Sequence, residues 1–242
     1  TFRFLVNNLY VTSMTDRFSP EVHSVPFGDR LDLDKWAVAR FSETVDLCRQ
    51  GYESFEFHRV YHAINNFCAV DLSAFYMDVI KDRLYCSAAN SAERLSALST
   101  LYDIAKGMAS VLAPVLSHTS EEVWTILGNP DGIVSAQLSD FPTTTASDFS
   151  DVIERWRPIF SIREVANLSL EAARIRKEIT NPLESSLFIS APVAVLAELS
   201  SMVDQLPAIL KVSQVSIGNT SDEITVTAKP ADGTKCNRCW LI

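Results

Sequence analysis

The chain has 242 residues, 47% hydrophobic and 21% charged, enough for one large or two modest domains with real cores. Its formal net charge of −9 and pI near 4.9 exclude a generally basic nucleic-acid coat. Local basic patches stay open, because salt screens charges beyond ~8–10 Å.

Seven glycines, against roughly 17 at the usual ~7%, favour long helices over tight turns. The acidity is uneven. Residues 1–128 carry 11 basic and 16 acidic groups, residues 129–152 carry none and four, and residues 153–242 carry ten of each.

Phe2, Leu5, Val6, Leu9 and Tyr10 recur at helical steps. A turn-rich stretch with Pro20, Pro26 and Gly28 follows. From Leu31 to Tyr52 the pattern is helical again, with Gly51 marking the end. Residues 54–85 carry the longest apolar stripe, including Phe57, Val60, Tyr61, Phe67, Leu72 and Phe75, and are predicted as one helix. Asn90 with Glu93 reads as a capping box for the next helix, which Pro114 stops. Thr119 with Glu122 reads as a second box, and Gly128 as a C-terminal cap.

Residues 129–150 hold two prolines and only acidic charges, and read as a surface connector with a short strand near Ile133–Leu138. A long helix is predicted over 151–178. Strands follow at Leu187–Ile189, Val212–Ile217 and Ile224–Thr227, with an amphipathic helix over about 193–210.

Flanking the long stripe are His58, Arg59, His62, Asn65, Asn66, Lys81 and Arg83. On one helix face such donors can follow phosphates and sugar hydroxyls; the same row also reads as an ordinary solvated face. His58 and His62, four residues apart, have the spacing of a metal pair, but no third ligand lies nearby in sequence. Arg155, Arg157, Arg163, Arg174, Arg176 and Lys177 face four glutamates on the 153–178 helix. The cations at its end suit either the helix dipole or an RNA backbone.

The run from Phe57 to Tyr85 closely resembles the anticodon-binding bundle of isoleucyl-tRNA synthetases of bacterial type, whose members typically read FHRVYxxxxNFCxVDLSAFYxDxxKDRLY. Phe2-Arg3-Phe4-Leu5 with Asn8-Leu9-Tyr10, Leu33-Asp34-Lys35-Trp36-Ala37, and Leu112-Ala113-Pro114 with Thr119, Glu121, Glu122, Val123 and Trp124 extend the resemblance. Ser169–Arg174 and Leu183-Glu184 carry it further, and the connector and 192–228 are its weakest parts. Thr180 stands after Ile179 where the family often has glycine.

The resemblance implies a mainly α fold: an anticodon-binding helical bundle of class I synthetases over 1–128 and an acidic connector over 129–150. A long helix with a small α+β junction domain would span 151–228, and a truncated zinc module 229–242. It implies that the chain is part of isoleucine-tRNA ligase, with tRNA(Ile) gripped by its anticodon arm. The expected contacts are Arg3, His58, Arg59, Asn66, Lys81, Arg83, Arg174 and Lys177. Tyr61, Tyr85, Trp156 and Trp240 are candidate stacking aromatics, the first two expected in the core. The valyl and leucyl relatives, and a helical protein-interaction module without RNA, are the alternatives.

Cys236 and Cys239, two residues apart, can close on one tetrahedral Zn²⁺, which needs four ligands. Alone the pair is a weak signal, open as a redox motif, half a zinc knuckle or coincidence; the redox reading wants a thioredoxin-like βαβ context the pattern does not show. The family commonly ends with KCxRCW and a second pair further on, which implies half a site here. Cys48, Cys68 and Cys86 read as reduced core residues.

Neither HIGH nor KMSKS occurs, nor a P-loop or G-x-S-x-G. No catalytic residue is therefore expected, and ATP and Mg²⁺ would serve the catalytic domain of the same polypeptide. There is no signal peptide and no apolar run of ~18 residues. A monomer in the cytoplasm, with no membrane partner and both ends cut, is the expectation.

Overall fold

The computed structural model describes residues 1–10, 18–143, 146–237 and 241–242, and the side chains of all of these but Tyr10 and Ala146. Its contacts divide the chain into two units, Thr1–Ile153 and Glu154–Ile242.

In the first unit, α1 (Phe2–Tyr10) and the short α2 (Pro20–His23) precede α3 (Asp32–Glu53). Then come α4 (Phe57–Asn66), a π-helical segment (Phe67–Tyr76), α5 (Met77–Val79), α6 (Lys81–Cys86), α7 (Ala92–Leu112) and α8 (Ser117–Ile126). α7 is the central rod, touching α1, α2, α3, α6 and α8. Leu33, Trp36, Leu101, Ile104, Met108 and Trp124 are buried around it.

One face of α7 is polar, although buried. Ser96, Ser99 and Thr100 take up donors from the incoming loop: Leu31 N–H to Ser96 Oγ at 3.0 Å, Val25 N–H to Ser99 Oγ at 2.9 Å, and Arg30 Nη1 to Thr100 Oγ1 at 3.3 Å. Small hydroxyls let the loop cross the rod with its donors satisfied.

Four local readings are corrected. The expected single helix over 54–85 is broken at Phe55, which takes a left-handed φ of 60°, and widens into π winding. That winding keeps Phe67, Leu72 and Phe75 inside and Ala69, Val70, Ser73 and Ala74 outside. Ser91, not Asn90, caps α7, accepting Arg94 N–H at 3.3 Å. Thr119 lies inside α8, which starts two residues earlier. The strand near 133–138 is replaced by an irregular stretch and a tight turn at Ala136–Leu138, because its groups bond to the bundle. Trp124 Nε1 donates to Ile133 O at 2.7 Å, and Gln137 Nε2 to Ala113 O at 2.6 Å. Residues 129–142 thus lie along the bundle.

The second unit takes up α9 (Ser150–Ile175), which begins just before it and buries Trp156, Ile159, Ile162, Ala166, Leu170 and Ala173 at helical steps. A three-stranded sheet follows in the order β2-β1-β3, built from β1 (Ser185–Ala191), β2 (Gln214–Thr220) and β3 (Thr225–Pro230). β1 and β2 are parallel and joined through α10 (Val193–Ser201) and α11 (Leu206–Leu210); β1 and β3 are antiparallel. β1, the two helices and β2 form a βαβ unit in the order the sequence suggested, and Cys236 lies beyond β3, outside it. Periodicity marks strands but does not fix their direction. Among the described residues no single helix is long and apolar enough to cross a membrane. The apolar α10–α11 pair buries Leu199, Leu206, Ile209 and Leu210 in this unit.

Candidate nucleic-acid interface

α4 has one buried position, Val60. Its exposed side carries Phe57, His58, Tyr61, His62, Asn65 and Asn66, and the π segment continues the row through Ala69, Val70, Ser73 and Ala74. Steps of four residues keep these groups on one stripe. Arg59 stands beside it, 2.9 Å from Glu56. That contact and a Ser54 hydroxyl hold the Glu56 carboxyl below its usual range.

Three aromatics give the stripe its character: Phe55 is 79% exposed, Tyr61 65% and Phe57 55%. Phe55 meets Phe57 edge-on at 6.3 Å, and Tyr61 meets His62 edge-on at 5.3 Å. Tyr52 backs the corner, 6.2 Å from Phe57, with its hydroxyl donating to Val111 O at 2.8 Å. Burial and the nearby Cys48 push the Tyr52 phenol up to about 12. The expectation that Tyr61 and Tyr85 sit in the core is corrected, since both are exposed, Tyr85 at 60%. Trp156 is buried and offers no stacking face; Trp240 lies outside the described residues.

Sequence reasoning missed Phe55. Its signal is an aromatic placed between two helical patterns, four residues after a glycine. A non-glycine residue in left-handed backbone is uncommon, and such strain clusters at functional positions.

Within the first unit the expected cations sit on three different helices, Arg3 on α1, Arg59 on α4, and Lys81 and Arg83 on α6. Arg3 is exposed on α1, in a groove it shares with Asn7 and with Thr119, Glu122 and Ile126 of α8. Lys81 is 2.6 Å from Asp78. Arg83 is occupied inside the bundle, its two nitrogens on the buried Asp34 at 2.9 and 3.1 Å. In the second unit Arg174 is 3.3 Å from Glu171. Lys177 is exposed at φ 59°, where it closes the end of α9: Lys177 N–H reaches Arg174 O and Glu178 N–H reaches Ala173 O. Exposed pairs of this kind contribute only about 0–1 kcal/mol, so an incoming phosphate can displace the carboxylate. Arg83 differs, because leaving would strand a buried charge.

The stripe therefore presents π faces with amide, imidazole and hydroxyl groups, and little net charge. That combination suits unstacked bases of a single-stranded loop, which are stacked on aromatics and bonded at their edges.

Cys236 is exposed after β3. Its N–H donates to Leu241 O at 2.8 Å, while Lys235 reaches Glu184 at 2.6 Å. Cys239 lies outside the described residues. Among the described residues no three His, Cys, Asp or Glu side chains form a metal-binding group.

Comparison with known proteins bears on the same residues. The family model for the anticodon-binding domain of tRNA ligase matches residues 34–189. Similar curated proteins include the isoleucine–tRNA ligases of Moorella thermoacetica, 35% identical over 257 residues, and Natranaerobius thermophilus, 36% over 258. That of Geobacillus thermodenitrificans is 33% identical over 255 residues. They align with 99–100% of this chain, which spans 27% of their length.

Proposed function

The chain belongs to the family of anticodon-binding domains of tRNA ligases, and on that footing we propose that it is the part of an isoleucine–tRNA ligase that holds the anticodon arm of tRNA(Ile). In this reading the polypeptide joins isoleucine to its tRNA with ATP and Mg²⁺, and the bond-making groups lie in a catalytic domain of the same polypeptide. No residue of the present chain is assigned a chemical step.

The observation that carries the reading is the exposed stripe of α4 and the π segment, with Phe55, Phe57 and Tyr61 as stacking faces. Loop bases would splay onto these rings while His58, His62, Asn65 and Asn66 meet base edges and sugar hydroxyls. Arg59 would exchange Glu56 for a phosphate. Arg3, Lys81, Arg174 and Lys177 would add longer-range attraction to the backbone. Arg83 would act through the fold. Cys236 and Cys239, with two ligands from elsewhere in the polypeptide, would hold a structural Zn²⁺ that fixes the local loop. The protein would work as a cytoplasmic monomer.

The test is fluorescence anisotropy with a labelled anticodon stem-loop of tRNA(Ile) and one of unrelated loop sequence. The expected result is preference for the first and an affinity that falls with salt, by a slope of roughly 0.7–0.9 per phosphate neutralised. Equal affinity for both loops would overturn specific recognition.

A further inference from the structure

A cavity of about 180 Å³ opens where the segment before α3 crosses the start of α7. His23, Asn90 and Arg94 make its polar wall, and Phe18, Leu95 and Leu98 its apolar one. Among the described residues no carboxylate lines it. The nearest acid along the helix, Glu93, is engaged by Ser91 and its own backbone N–H.

Two observations give the cavity a sign. Among the described residues the buried Nε of Arg94 has no acceptor. A guanidinium N–H left unmade in this way is costly unless something else supplies the oxygen. His23 accepts the Ser19 N–H on Nδ1 at 3.0 Å, so the neutral ring carries its proton on Nε2, as a donor.

The wall is also held in place. Val25 N–H is bonded to Ser99 Oγ at 2.9 Å, and the buried Arg30 ties Val25 O, at 2.9 Å, to Asp103, at 2.6 Å. These bonds fasten the α2 segment to α7 and so bring His23 to Arg94. The start of the 21-residue α7 adds potential of the same sign.

We propose that this cavity binds an oxyanion of the phosphate class, with Arg94 and His23 donating to its oxygens and Asn90 completing the set. Arg94 turns its fork to the anion and gains the acceptor it lacks. The volume suits a group of a few heavy atoms, and a planar guanidinium matches two oxygens of one phosphate. Free inorganic phosphate and a phosphodiester of an RNA backbone share this chemistry. The site draws on α2 and α7 rather than α4, and stands whether or not the α4 stripe meets RNA.

The test is NMR of arginine Nε–H and histidine ring signals in the chain, titrated with inorganic phosphate at constant ionic strength against chloride. The expected result is a saturable shift at Arg94 and His23, weakened by roughly tenfold or more in R94M. R94K, which keeps the charge but loses the fork, is expected to bind more weakly and serves if R94M does not fold. Addition of an anticodon stem-loop then separates the sources: displacement of phosphate from Arg94 identifies the RNA backbone, and simultaneous binding identifies free phosphate. A response equal to that of chloride, or unchanged phosphate affinity in both variants, would overturn the proposal.

Discussion

Arg83 and Asp34 meet in a two-pronged ion pair: Nη1 lies 2.9 Å from one carboxylate oxygen and Nη2 3.1 Å from the other. Asp34 is wholly buried, and Tyr76 and Ser96 also donate to it, at 2.7 and 2.5 Å. One carboxylate thus joins α3, the π segment, α6 and α7. Burial and the Asp34 charge hold the Tyr76 hydroxyl well above its ordinary range. Replacing Arg83 by Met is expected to destabilise the bundle by about 3–5 kcal/mol, because the carboxylate stays buried without its partner. Tyr76→Phe is expected to cost about 1.5–3 kcal/mol, since the bond lost is to a buried carboxylate. Denaturant unfolding of both variants measures this.

Two glycines respond differently to alanine. A Cβ on Gly107 would stand 2.5 Å from the buried Phe41 ring, which is itself backed by Phe67 at 5.5 Å. A Cβ on Gly218 would meet the half-exposed Phe188 at 2.3 Å, a ring free to swing outward. Gly107→Ala is expected to destabilise by about 1–3 kcal/mol despite alanine's better helix propensity. Gly218→Ala is expected to cost less. Thermal melts of the pair give the comparison.

Alkaline pH loosens the bundle. Burial raises the Cys48 thiol from 9.0 to about 12, and Tyr52 rises from 10.0 to about 12. Both folded values exceed the unfolded ones, so their contribution is full below about pH 9 and is lost as pH climbs toward 12. Denaturation midpoints are expected to fall across that window, and Cys48→Ala with Tyr52→Phe is expected to flatten the fall.

Phe55 and Lys177 hold left-handed backbone where glycine would sit without strain. Glycine at either relieves about 1–2 kcal/mol of left-handed strain and gives part of it back in chain entropy, so stability is expected to stay level or rise slightly. Phe55→Gly is expected to weaken stem-loop binding by about 1–3 kcal/mol, the worth of one stacked base. Lys177→Gly is expected to lower affinity modestly and to reduce the salt slope. Anisotropy alongside melting separates the two effects.

Much of this was legible in the residues. Helical apolar steps marked α1 and α3, capping and proline signals marked α7, and a long helix and a strand were expected where α9 and β1 lie. The run from Phe57 to Tyr85 carried the family. What escaped has physical reasons. An i→i+5 winding leaves nearly the same apolar pattern as an α-helix, so the π segment is silent in sequence. Tyr61 and Tyr85 occur at core-compatible steps, and only tertiary packing leaves them outside. Arg83 is a cation by composition, but its partner lies 49 positions earlier. The α4 histidines and amides were visible as a row, whereas Phe55 depended on a backbone turn between helices.

The central claim is that loop bases lie on the α4 stripe. Photo-crosslinking of an anticodon stem-loop carrying thiouridine at each loop position in turn, followed by peptide mapping, tests it most directly. Crosslinks confined to peptides spanning residues 55–74 are the expected result. Crosslinks that instead concentrate on the groove between α1 and α8, with none on α4, would contradict it.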